Sequence, residues 1–169
     1  MILNCLHSER RDHEKLIRKL LFIKAALWDN VELLMDLLQE DHNIDCVDSW
    51  GRTPLHAGAI TSESRCLQVL INAGANINKQ CGLRGENKTA LHFSAEHGHE
   101  SNIKILLNAD ASYTLRDING LTALDLADRN GHETCVTILK AAAGEFNLYI
   151  IFTLINIIDS IHNVTSITD

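Results

Sequence analysis

Proline is nearly absent from this chain, and its one copy, Pro54, marks the stretch that organises the rest. Basic excess is absent too: 15 Lys+Arg stand against 22 Asp+Glu, a net of −7. That balance excludes a surface built to neutralise nucleic-acid phosphates, and Arg10-Arg11 alone makes no patch. The five cysteines (Cys5, Cys46, Cys66, Cys81 and Cys135) are odd in number and show no Cys-x-x-Cys spacing. They fit reduced thiols inside a cell rather than a disulfide framework. The start, Met1 to His7, lacks the basic region and long apolar core of a signal peptide. An intracellular protein is expected, cytoplasmic with the nucleus as the alternative compartment. No apolar run approaches the roughly 20 residues an unaided membrane span needs; the longest, Phe146 to Ile158, is 13 and has no Lys or Arg near it.

What is present is a period. Trp50-Gly51-Arg52-Thr53-Pro54-Leu55-His56 returns in weaker form as Glu86-Asn87-Lys88-Thr89-Ala90-Leu91-His92 and as Asn119-Gly120-Leu121-Thr122-Ala123-Leu124-Asp125. From Thr53 to Thr89 is 36 residues, and from Thr89 to Thr122 is 33. Self-similarity at this period signals a solenoid. Each copy starts a helix: a threonine N-cap, then in the first copy a proline at N1, where no amide hydrogen is needed. The three extra residues of the longer interval fall in Gln80 to Glu86, a glycine-containing loop in which an insertion costs little.

The period and the intact Thr53-Pro54-Leu55-His56 resemble the ankyrin repeat. The resemblance implies an all-α fold, an ankyrin-repeat solenoid of stacked helix-turn-helix units with projecting hairpin-like loops and a concave face. It divides the chain into a polar, frayed lead-in (residues 1–13), an ankyrin-repeat domain (14–143) and an apolar C-terminal tail (144–169). The repeats fall at about 14–47, 48–80, 84–116 and 117–143. In the first, Leu16, Leu20, Ile23 and Leu27 recur at helical spacing and Leu33, Leu34, Leu37 and Leu38 are expected to face the core. This unit lacks the threonine turn and reads as a degenerate end repeat. In the second, Leu55, Ala57 and Ala59 start the inner helix, Cys66, Leu67, Val69, Leu70 and Ile71 bury the outer one, and Gly74 ends it. Asn87 takes the turn position of Gly51 and Gly120, and Asp110 stands where Gly74 would recur. In the fourth, Asp125, Asp128 and Lys140 fit a polar cap. For the tail three readings stay open: an extra capping helix, an interfacial or aggregation-prone segment, or a non-native extension.

No catalytic constellation, cofactor or metal is expected. Nine histidines invite a metal, but the repeat resemblance assigns His56 and His92 to bridging loops of neighbouring units, and His99 and His132 to its Gly-His pair. Cys66 and Cys135 share a buried outer-helix position, so a Cys–His nucleophile has nothing to assemble it. Gly82-x-x-Gly85 lacks the Gly-Lys-Ser/Thr of a phosphate loop, and the two Asn-x-Thr acceptors matter only in a secreted protein. The family binds proteins through loop tips and inner-helix ends. Carried over residue by residue, this implies a protein-binding surface of Ser49, Trp50, Arg52, Glu86, Lys88, Ile118 and Leu121 at the tips. Trp28, Ile60, His97 and Arg129 fall at the inner-helix ends. Trp28, Trp50 and Arg52 lead, because tryptophan and arginine are enriched among interface anchors. Trp28 covering the open core end, and Trp50 packing on a neighbouring loop, are the competing structural readings. The partner is another protein, not a nucleic acid; membrane contact through 146–158 is a minor alternative, and a monomer is expected. The competing function is a truncated or regulatory fragment of a larger ankyrin-repeat scaffold or enzyme, competing for its parent's partner.

Overall fold

A computed structural model of the chain describes residues 2–39, 43–63 and 65–144, with side chains from His13 onward. Among the described residues the structure is all helix and no strand. Eight α-helices form four pairs: α1 (Ile2–Leu27) with α2 (Val31–Gln39), α3 (Pro54–Ile60) with α4 (Arg65–Asn72), α5 (Ala90–Glu96) with α6 (Glu100–Asn108), and α7 (Ala123–Arg129) with α8 (Glu133–Ala142). The inner helices pack in a row, α1 on α3, α3 on α5 and α5 on α7. Each pair is one unit that cannot bury its apolar face alone, so stacking is what makes the core.

The periodic motif explains why each inner helix starts where it does. Thr53, Thr89 and Thr122 are extended residues whose hydroxyls accept the amide of the third helical residue, at 3.4, 3.4 and 3.3 Å. The side chain of that third residue, His56, His92 or Asp125, accepts the threonine amide in return, at 3.0, 3.2 and 2.8 Å. Two orphan amides of the helix start are thus satisfied reciprocally. The inner helices bury small residues, Ala57 and Ala59, then Ala90 and Ala95, then Ala123 and Ala127, which allows close approach. Cys66, Leu67, Leu70, Ile103, Leu106, Cys135 and Leu139 close the core from the outer helices. Gly74 (φ +89°) and Asp110 (φ +61°) both end outer helices in the left-handed region, which Asp enters more readily than most residues.

The first unit departs from expectation in two ways. Helix α1 reaches back to Ile2, so residues 2–13, read as a frayed lead-in, are helical. They contain no glycine or proline, and Leu and Arg make up four of the twelve, so nothing in them stops a helix. In α1, the core is reached by Phe22, Ile23, Ala25 and Ala26, while Leu16, Leu20 and Leu27 are exposed. The expected stripe was therefore one of two apolar faces, and mostly the outward one. In α2, Leu34 and Leu37 are buried, with Leu33 and Leu38 half-buried beside them. All but the first residue of the tail, 145–169, lies outside the described residues, as do the three readings of it.

Candidate functional site: the loop tips and concave face

Two of the three projecting loops, those of the second and fourth units, are held by a carboxylate at the base. Asp48 Oδ1 accepts the amides of Trp50 and Arg52, at 2.8 and 2.9 Å. Asp117 Oδ1 does the same for Asn119 and Leu121, at 2.8 and 2.9 Å. Burial pushes the Asp48 carboxyl up, but hydrogen bonds from Arg52 and Trp50, with the Arg52 charge, hold it below the usual range. The Arg52 guanidinium grips Asp48 Oδ2 at 2.8 Å and lies 5.9 Å from the Trp50 ring centre. Arg52 is therefore half-buried and committed to its own loop, which positions Trp50.

Histidines fasten one loop to the next, as the repeat resemblance implies. His56 Nδ1 accepts from Thr53, which leaves Nε2–H to donate to the carbonyls of Lys79 and Lys88, at 2.9 and 3.2 Å. His92 donates likewise to Leu121 at 3.2 Å. Burial pushes His56 down to about 4 and lowers His92 in the same direction. The Gly-His pair works from the other end: His99 Nε2 meets the Ile60 carbonyl at 2.9 Å and His132 Nε2 the Glu96 carbonyl at 3.0 Å. The second unit lacks this histidine, and Asp29 of the first unit makes the tie instead, accepting from Cys66 N and Arg65 Nε at 2.7 Å each. Among the described residues no three His, Cys, Asp or Glu side chains cluster to hold a metal. Burial raises the thiols of Cys66 (to about 12), Cys81 and Cys135, so these sulfurs stay protonated at neutral pH.

Of the residues expected at the surface, the structure brings Glu86, Lys88, Leu121 and Arg129 together. With Glu96, Asp117 and Asn119 they line a polar concavity of about 410 Å³ between the third and fourth units. Trp50 and Arg52 line a smaller one of about 210 Å³, shared with Arg84, Phe93, Glu86 and Lys88. The two concavities meet at Glu86 and Lys88 and make a continuous track across the tips. Trp50 is 53% exposed and Ile118 50%, and between them Leu83 of the insertion loop stands 72% exposed. Ser49 is exposed beside Trp50.

Lys88 requires correction as a tip residue. It is 6% exposed, with Nζ 2.8 Å from both Glu86 Oε2 and Glu96 Oε1 and 5.8 Å from the Phe93 ring centre. Two carboxylates and an aromatic face draw the ammonium inward. Burial lowers its pKa, and the hydrogen bonds it donates to Glu86 and Glu96 more than reverse this, so it is raised and stays charged. Ile60 is half-buried against the core, and His97, though exposed, stacks on His99 at 5.8 Å between ring centres. Trp28 is exposed, but on the open end of α1, with Lys24 Nζ 5.6 Å from its ring centre. It stands apart from the tip track. Arg84 and Leu83 are the members that sequence reasoning missed. Leu83 and Arg84 sit in the insertion, whose occurrence was the available signal.

Comparison with known proteins agrees with this architecture. The family model for ankyrin repeats (3 copies) matches residues 3–117 and 79–149, taking in nearly all of α1. The chain is similar to rat ankyrin repeat and SAM domain-containing protein 6, 36% identical over 118 residues, covering 69% of this chain and 13% of that protein. It is similar to chicken inversin, at 33% over 116 residues (68% of this chain, 10% of inversin). It is also similar to a rice protein described as probable E3 ubiquitin-protein ligase XBOS34, at 30% over 128 residues (72% and 23%). The chain thus spans less than a quarter of the length of each of these relatives. With four stacked helix pairs, three Thr-capped inner helices and a family match over most of its length, the chain belongs to the ankyrin-repeat family.

Proposed function

We propose that the chain is a non-enzymatic protein–protein interaction module that works as a scaffold surface, with its contact face on the loop tips. The observation that carries this reading is the row Trp50, Leu83, Ile118. Three large apolar side chains, 53%, 72% and 50% exposed, stand on the successive loops of the second, third and fourth units, which are otherwise tied down. The ties are the Asp48 and Asp117 clamps, the His56 and His92 bridges, and the Glu86 carbonyl that accepts Ile118 N at 2.9 Å. Rigid loops carrying exposed anchors lose little freedom on binding, which is what an interface requires.

The test is capture of partners from cell lysate on the full chain beside Trp50→Ala, followed by calorimetry on what is retained. Trp50→Ala is expected to weaken binding by about 2 kcal/mol while leaving helicity intact, since the side chain is half outside. Unchanged affinity with a lower melting point makes Trp50 a structural residue and removes this face. Arg52→Glu is the wrong companion variant, because it sets a second carboxylate against Asp48 and disturbs the loop itself. Leu83→Ala and Ile118→Ala extend the scan without that fault.

A second reading is a regulatory competitor for the partner of a larger ankyrin-repeat protein, of the kind the chain resembles over part of their length. Displacement of a longer protein from the captured partner supports this; independent binding of both rejects it. The cytoplasmic compartment belongs to the same proposal, and cell fractionation checks it.

A further inference from the structure

The third projecting loop is built differently from the other two. In the second and fourth units the base residue, Asp48 or Asp117, donates its amide to the carbonyl that closes the loop, Arg52 or Leu121, at 3.0 and 2.9 Å. Cys81 holds that place in the third unit, donating to the Lys88 carbonyl at 2.9 Å. Six residues stand between this pair where the other loops have three, so the insertion lies within 82–87. The fold does not need it, because α7 starts at the same threonine box without the extra length. It carries strain as well: Glu86 (φ +65°) and Asn87 (φ +54°) are both left-handed, where each other loop uses one glycine. Nor is there burial in return, since Leu83 is 72% exposed and Arg84 is exposed beside it. Yet the loop is held firmly. Leu83–Gly85 makes one turn of 3-10 helix, and the Cys81 thiol donates to the Gly85 carbonyl at 2.7 Å. A Cβ on Gly85 would lie 3.0 Å from the Trp50 carbonyl, so the turn backs onto the second loop. Strain that the surroundings over-determine in this way gathers at binding sites.

Resting on the tip-binding reading above, we propose that residues 82–85 form a knob that enters an apolar cleft of a folded protein partner. A carboxylate at the rim of that cleft meets Arg84. Shape and charge choose this occupant. A convex turn offers no groove in which an extended peptide could lie, whereas a cleft can enclose Leu83. Arg84 is the one charged side chain of the knob, and it has no hydrogen bond or ion pair among the described residues. The carboxylates around its concavity are already committed, Asp48 to Arg52, and Glu86 and Glu96 to Lys88. Taking a guanidinium out of water in an interface is costly unless an opposite charge meets it, so the partner supplies the carboxylate. The knob then sets specificity, and Trp50 beside it adds area.

A shortened loop tests this in the full chain. Deleting Leu83–Gly85 together with Cys81→Asp restores both the three-residue loop and the carboxylate at its base, with circular dichroism as the check on folding. The probe is the set of proteins that the wild type retains from cell lysate, challenged also with Trp50→Ala, Arg84→Gln and Arg84→Glu. Arg84 is exposed, so the last two keep the fold whatever the deletion does. The shortened loop is expected to lose the retained protein. Arg84→Gln is expected to weaken it about tenfold, and Arg84→Glu further, by a margin that shrinks as salt rises. A photo-reactive benzoylphenylalanine in place of Leu83 is expected to cross-link to a protease-resistant domain of that protein. Retention by a folded shortened loop, with loss on Trp50→Ala, overturns the knob and leaves the tip reading standing. Retention by both removes the two readings together. Equal effects of Arg84→Gln and Arg84→Glu overturn the carboxylate, and a cross-link into a readily cleaved extended segment overturns the cleft.

Discussion

The second and third units and the first solve the same problem with different means. In the second and third, an inner helix of seven residues begins at a threonine box and is tied to the next loop by a histidine ring. In the first there is no box, and the helix runs for 26 residues with an apolar face on each side. The repeat motif is therefore less a recipe for helix, which the first unit makes without it, than a device for stopping one. It sets where the inner helix starts and fixes the loop before it in a defined place. Function on loop tips needs that device, and the exposed anchors stand on the three boxed units while α1 offers only a helical stripe.

The largest expected effect comes from breaking the device at its centre. His56 is 1% exposed and its ring satisfies Thr53 N, Lys79 O and Lys88 O together. His56→Ala leaves a cavity and three unpaired backbone groups and is expected to cost roughly 4 kcal/mol. Acid should reproduce part of this in the wild type. A proton on Nδ1 would face the Thr53 N–H, and burial disfavours the charge, so the folded state holds His56 neutral down to about 4 while the unfolded chain takes its proton near 6.5. Fewer protons are then bound in the folded state between these values, so stability is complete above pH 6.5 and falls as pH drops toward 4. The loss is on the order of 3 kcal/mol. His92 adds to it in the same direction, while Asp48, whose pKa is lowered, acts below its unfolded value and so at lower pH. Denaturant unfolding across pH should show a shallower slope in His56→Gln; an unchanged slope places the acid sensitivity elsewhere.

A paired glycine test separates backbone conformation from crowding between units. Gly51 and Gly120 hold the same place in the second and fourth units, both at φ +77°. A Cβ on Gly51 would sit 2.2 Å from Gly82 N, against the backbone of the insertion loop, whereas one on Gly120 meets nothing within 4 Å. Gly120→Ala should cost about 1 kcal/mol, the left-handed penalty alone. Gly51→Ala should cost about 3 kcal/mol, since one backbone must also move off the other. Equal losses in thermal or denaturant unfolding would mean the insertion loop yields freely, and the rigid tip row would lose its support.

Most of the architecture was legible because the motif is local. Thr53, Thr89 and Thr122 cap helices through contacts three residues away, and a three-residue contact is written in the sequence itself. The threonine caps and the glycine turns follow from it, while the histidine bridges, which span 23 to 32 residues, were implied by the repeat resemblance. What was not legible depends on distant pairs. Lys88 reads as a tip cation, but Glu96, eight residues on, turns it inward, and no spacing rule announces that. The α1 stripe shows the same limit: periodicity finds an apolar face but does not say which of two faces meets the core. Phe22, 33 residues before Leu55, shares that residue's core position, which the leucine spacing alone does not show.

The smallest effect sharpens the comparison at the other end of the stack. Asp125 closes the same box as His56 and His92, with Oδ2 accepting Thr122 N at 2.8 Å and the Thr122 hydroxyl at 2.7 Å. These two bonds, burial opposing them, hold its carboxyl below the usual range. Yet a carboxylate has no ring nitrogen to donate onward, and Asp125 is exposed where the two histidines are buried. If the motif has two separable parts, a cap and a bridge, Asp125 carries only the first. Asp125→Ala should then cost about 1 kcal/mol, the ordinary worth of a cap. Asp125→His keeps the cap and adds a ring with no following loop to meet among the described residues, so its stability should lie within about 0.5 kcal/mol of wild type. Stabilisation by 2 kcal/mol or more would show that the ring finds a carbonyl after the fourth unit, and that the bridge continues past Gly144.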